Sequence, residues 1–105
     1  MKYESDELMM EGTSIVYFGA EWCGPCKMMG PIYEKITAVL DESVEAKCYK
    51  LDVDVEALVS TQFGVRNIPM IVKLQDGVIV NKHVGVLNES KLMEFIGNSQ
   101  PYKII

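Results

Sequence analysis

The chain has 105 residues, 49% of them hydrophobic and 24% charged, with a formal charge of −5. That length suits one domain with a real core, and the composition is that of a globular chain and not of a disordered one. The acidic balance and the lack of any dense Lys/Arg run argue against nucleic acid as a partner and favour proteins with basic rims.

The opening stretch, MKYESDELMMEGT, carries acids and no apolar core, unlike a secretory signal, and no apolar run approaches the length of a membrane span. The expectation is a soluble, cytoplasmic chain forming a single domain over 1–105, with 98–105 as a tail. Residues 5–11 read as a short helix, with Ser5 as N-cap and acids in its first turn. Residues 14–18, SIVYF, are apolar and rich in strand formers, as in a buried strand. A helix follows, with Pro25 in its first turn, where a missing N–H is harmless. It runs to about residue 40, and Pro31 should kink it by removing one backbone bond.

The next strand spans 46–53. Asp54 is expected to cap a helix whose Val55, Leu58, Val59 and Phe63 share a face and which Gly64 closes. Pro69 opens a strand over 70–74, and Asp76-Gly77 turns it back into an antiparallel strand over 78–84. Asn88 caps a last helix, with Leu87 and Leu92 as a hydrophobic staple. Strands joined by a helix are parallel and hairpin strands antiparallel, so the sheet should be mixed, four-stranded and flanked by helices.

WCGPC, at 22–26, falls where the first strand ends and the long helix begins. A cysteine pair at this spacing can hold a metal, lock as a staple or exchange electrons. Three cysteines are a poor count for a stapled scaffold, and in a reducing compartment a close pair points to catalysis or metal binding. Cys23 would occupy the helix N-cap, beside unpaired N–H groups and the positive end of the macrodipole, both of which favour a thiolate. The gain matters, because a cysteine with a pKa near ~8.5 is only about 3% thiolate at neutral pH. Cys26 lies one turn further in, close enough for a disulfide and more sheltered. Cys23 is then the attacking thiol and Cys26 the resolving one.

AEWCGPCKMMGPI closely resembles the active-site segment of the thioredoxin family. The likeness continues in order through KLDVD (50–54), FGVRNIPM (63–70), DG (76–77) and VG (84–85), and covers residues 2–97. It implies a thioredoxin fold of class α/β, lacking the family's N-terminal strand, because KYESDEL matches the family's first helix. It also implies a protein-disulfide reductase whose only redox group is the Cys23–Cys26 pair, with no bound cofactor. The partners would be a recycling enzyme of the thioredoxin-reductase type and disulfide-bearing clients. The chain would be a monomer, or a dimer paired through the edge strand that the missing one leaves open. A cis Ile68-Pro69 bond should face the cysteines. Trp22, Gly24, Pro25, Ile68, Pro69, Val84, Gly85 and Val86 match the family's substrate-docking surface.

Several positions depart from the family. Tyr17 stands where a buried aspartate is held to move the resolving cysteine's proton, while the partner lysine persists as Lys50. Tyrosine is a poor base at neutral pH, so Cys26 is expected to lose its proton through Lys50 or water. Gly19 replaces a tryptophan and should loosen the packing behind the site. Met70 replaces a threonine after the cis-proline, with an expected effect on substrate preference, and Met28 and Met29 should soften the contact surface. Two other readings use the same residues: a docking module with incidental redox activity, and a zinc module built from Cys23, Cys26, Cys48 and His83.

Overall fold

The computed structural model describes residues 11–43 and 46–97. Strand β1 (Thr13–Gly19) leads into helix α1 (Gly24–Ser43), then β2 (Ala46–Asp52) and the short α2 (Ala57–Gln62). Strands β3 (Met70–Gln75) and β4 (Val78–Val84) form a hairpin, and α3 (Glu89–Gly97) follows. The sheet order is β2-β1-β3-β4. Crossover through α1 makes β1 and β2 parallel, while β3 runs antiparallel to both β1 and β4. The expected mixed four-stranded sheet is thus the observed one. The expected 5–11 helix and the 98–105 tail fall wholly or almost wholly outside the described residues.

Burial divides by position in the sheet. Central β1 and β3 are buried along nearly their whole length, whereas outer β2 and β4 are only partly covered. Side chains alternate across β1, so Ile15 and Tyr17 enter a core with Met29, Tyr33, Leu92 and Ile96. Val16 and Phe18 enter the core on the other face, with Val59, Met70 and Val72. An apolar run over a buried strand serves both layers at once.

Helix α1 continues through Pro31 and buries Met29, Tyr33 and Ile36. The Tyr33 hydroxyl lies 2.7 Å from the Tyr49 carbonyl oxygen and 3.2 Å from that of Ile15, tying the helix to two strands. The hairpin turn matches its sequence signal: Asp76 (φ 52°) and Gly77 (φ 84°) are both left-handed, as a two-residue turn between twisted strands requires. Asn88 caps α3 by accepting the Lys91 N–H at 2.8 Å.

The third expected helix departs from its forecast. It spans only six residues from Ala57, and Glu56 at its N-cap makes no side-chain capping bond. Asp52, not Asp54, holds the preceding turn, its Oδ1 accepting the N–H groups of Asp54 (2.8 Å) and Val55 (3.3 Å). This side chain-to-backbone bonding favours a turn over a helix. Val55 and Leu58 are consequently 73% and 49% exposed, and only Val59 of the expected face is fully buried. Gly64 (φ 69°) does close the helix.

Candidate active site

Cys23 immediately precedes α1, and the chain reaches it through a turn in which its N–H donates to the Ala20 carbonyl at 3.2 Å. Its Sγ accepts the Cys26 N–H at 3.2 Å, the bond expected of a helix-capping group. Cys23 and Cys26 are joined as a disulfide, with Cα atoms 5.2 Å apart. Both are buried, at 5% and 6% exposure, so the pair meets solvent over a small window.

The Ile68-Pro69 bond is cis, and the Ile68 carbonyl oxygen lies 3.8 Å from Cys23 Sγ. Behind that loop, the Gly85 N–H donates to the Pro69 carbonyl at 2.8 Å. Gly85 has φ 112°, a conformation that side-chain-bearing residues rarely adopt. Three separate segments are thus linked in series, from Cys23 through Ile68-Pro69 to Gly85. Their apolar side chains lie open: Trp22 is 68% exposed, Val84 49% and Val86 39%, while Pro69 is buried. Gly24 and Pro25 are exposed at the helix start, and Ile68 is half-buried.

Beneath Cys26 is a cleft of about 460 Å³, lined among others by Tyr17, Gly30, Lys50 and Asp52. Strand register sets Tyr17 beside Lys50 on the same sheet face. The Tyr17 hydroxyl donates to the Cys26 carbonyl at 3.4 Å, and its ring stacks on Tyr33 at 5.0 Å. Lys50 Nζ lies 6.0 Å from the Tyr17 ring centroid and forms an ion pair with Glu34. Burial, together with the Glu34 carboxylate, pushes the Tyr17 phenol above its ordinary value of 10.0. The phenol is therefore neutral at physiological pH and cannot accept the Cys26 proton.

Gly19 lines this cleft, as the expected looser packing requires, and Tyr17 fills only part of the space: a Cβ at Gly19 would meet the Tyr17 ring and hydroxyl at 3.0 Å. Met70 is 2% exposed and packs with Val16, Phe18 and Val59, so it does not front a substrate directly. Met28 is exposed as expected, whereas Met29 is fully buried.

Two site features were not read from the sequence. Asp54, expected as a cap, accepts the Trp22 indole N–H at 2.7 Å and fixes the ring while its face stays exposed. Glu34, Lys50's partner, lies one helical turn after Gly30 of the cleft, and no spacing within α1 points to a lysine on β2. The residues of the zinc reading are not brought together. Cys23 and Cys26 are disulfide-bonded, and Cys48 and His83 sit on β2 and β4, at opposite edges of the sheet. Neighbouring strands are about 4.8 Å apart, so those edges lie well beyond the span of one metal's ligands.

A disulfide at a strand-to-helix junction, facing a cis-proline loop, is the redox centre of a thiol–disulfide oxidoreductase. The family model described as Thioredoxin matches residues 2–98. A thioredoxin from Mycoplasmoides gallisepticum is 33% identical over 96 residues, covering 90% of this chain and 93% of that protein. One from Chlamydia muridarum is 38% identical, covering 85% of this chain and 84% of its own length. The crystal structure of Malassezia sympodialis thioredoxin superposes with a TM-score of 0.80 at 33% identity, covering 91% of this chain and 84% of that one. The chain belongs to the thioredoxin family. It is a thiol–disulfide oxidoreductase with protein-disulfide reductase activity, and members of the family work with thioredoxin reductase and disulfide substrates. Thioredoxins need no cofactor beyond the redox-active disulfide. No helix of the described residues is long and apolar enough to cross a membrane.

Proposed function

We propose that Cys23 attacks client disulfides and Cys26 resolves the mixed disulfide that results. The observation that carries this reading is the place of Cys23 before the first turn of α1, 3.2 Å from a helix N–H and 3.8 Å from the cis-proline loop. Helix N–H groups and the macrodipole favour a thiolate there. In the reduced chain, the Cys23 thiolate attacks one sulfur of the client disulfide. The Cys23–client S–S bond forms, the client's own S–S bond breaks, and its other sulfur leaves as a thiolate. Cys26, once deprotonated, attacks Cys23 Sγ and expels the second client sulfur. The client gains two electrons and the chain ends as the Cys23–Cys26 disulfide.

Trp22, Gly24, Pro25, Ile68, Pro69, Val84, Gly85 and Val86 form the surface on which an extended client segment docks. Support comes from the exposed apolar faces of Trp22, Val84 and Val86 around a nearly buried sulfur pair. The Cys26 proton leaves through water in the cleft beneath it, where the Lys50 ammonium favours the thiolate and neutral Tyr17 takes no proton. The chain serves electron transport in the cytoplasm as a monomer, recycled by an enzyme of the thioredoxin-reductase type.

Insulin reduction driven by dithiothreitol tests the assignment. Cys23→Ser should abolish catalysed turnover, and Cys26→Ser should accumulate a mixed disulfide with insulin. Turnover surviving in Cys23→Ser would refute the roles.

A further inference from the structure

Gly19 and Asp52 are partners in the register of β1 and β2, and both line the cleft that reaches Cys26. Alternation along β2 fixes the side on which Asp52 stands. Tyr49 and Leu51 pack into the core on the Val16 face of the sheet, so Lys50 and Asp52 project from the Tyr17 face, which α1 covers. Asp52 Oδ1 accepts the N–H groups of Asp54 and Val55, which hold the half-buried carboxylate in place. Its Oδ2 accepts no bond from the described residues. The other polar groups of the lining are poorer proton acceptors. Tyr17 is neutral and gives its hydrogen to the Cys26 carbonyl, Lys27 and Lys50 are bases already protonated, and Lys50 is paired with Glu34. Glu21, the other acid, is exposed, and no described residue orients its carboxylate.

We propose that the Asp52 carboxylate takes the Cys26 proton, through cleft water, as the mixed disulfide resolves. The inference rests on the cysteine roles and the cleft route proposed above, and names the acceptor on that route. Gly19 adds no side chain to the cleft, whose volume of about 460 Å³ has room for a chain of waters. As Cys26 forms its bond to Cys23 Sγ, its proton passes through water to Asp52. The Cys23–client bond breaks, the client sulfur departs as a thiolate, and Asp52 returns the proton to solvent. The direction of the effect separates this role from a plain field effect. A negative charge nearby disfavours the Cys26 thiolate, so its removal speeds resolution if Asp52 acts by charge alone and slows it if Asp52 takes the proton.

The test mixes reduced full-length protein with equimolar dithiodipyridine, an uncharged disulfide, and follows thiopyridone release by stopped flow. Attack by Cys23 gives a bimolecular phase, and resolution by Cys26 a second phase independent of concentration. Cys26→Ser should lose the second phase, which sets it apart from any reaction of Cys48. In Asp52→Asn, whose amide oxygen still holds the turn, that phase should slow roughly three- to tenfold near pH 7. The deficit should close at alkaline pH, where the thiol ionises unaided. Glu21, Lys27, Lys50 and Glu34 are common to both proteins, so the difference between the two pH profiles reports Asp52. Added acetate should restore part of the rate in the variant and leave the wild type unchanged. Asp52→Ser, which keeps an oxygen for the turn, should behave alike, and Glu21→Gln should match wild type. An unchanged or faster second phase in both Asp52 variants would overturn the role. So would a deficit that neither acetate nor alkaline pH relieves, or an equal deficit in Glu21→Gln. A wild type with no phase dependent on Cys26 would strike instead at the cysteine roles themselves.

Discussion

Lys73 offers a stability test with its sign and size fixed by the fold. It lies on β3 at 1% exposure, and its ammonium donates to the Ile96 carbonyl near the end of α3. Burial lowers its pKa from 10.5 to about 8. Below pH 8 both folded and unfolded chains carry the charge, and the folded state bears the full cost of burying it. Between 8 and 10.5 the unfolded chain holds more proton than the folded one, so stability rises with pH. The whole gap corresponds to about 3 kcal/mol, and roughly 2 kcal/mol of it falls between pH 7 and 9.5. Lys73→Met keeps most of the volume and removes the titration. Urea unfolding of the oxidised protein across this pH range should show the wild type gaining about 2 kcal/mol relative to the variant. Parallel stability curves would refute the reasoning. They would mean that the bond to Ile96, at the negative end of the helix, offsets burial and keeps the ammonium in its ordinary range.

Three further outcomes follow from the site and its supports. Tyr17→Phe should leave the rate of mixed-disulfide resolution within about twofold of wild type, because a neutral phenol is no base; Tyr17→Asp should accelerate resolution near neutrality and change its pH profile, and an unchanged profile would count against proton loss through the cleft. Gly19→Ala should cost about 1–3 kcal/mol by crowding the Tyr17 ring, and the cost should shrink in a Tyr17→Asp background; additive effects in that double-mutant cycle would refute the contact. Asn88→Ala should lower stability by about 1 kcal/mol in urea unfolding through loss of the α3 cap, with insulin reduction little changed.

Much of this protein was written locally. The run SIVYF, the Asp76-Gly77 turn and the Asn88 cap each state their structure through periodicity, left-handed turn chemistry or a side-chain acceptor, and each formed as read. WCGPC likewise marked the cysteine pair and, through its position before a helix, the capping geometry of Cys23. The sequence could not say which of two nearby acids would hold a turn. Asp52 and Asp54 are both competent acceptors, and packing gave Asp52 the turn and Asp54 the Trp22 indole. Nor could it assign the space behind the active site. A tyrosine for an aspartate and a glycine for a tryptophan read as two separate losses along the chain. In three dimensions they are one change, because the Tyr17 ring lies over Gly19. The pairing of Lys50 with Glu34 depends on strand register and helix docking between distant residues. Backbone preferences and chemical motifs are properties of neighbours in sequence; charge partners, filled spaces and clefts belong to neighbours that only folding creates.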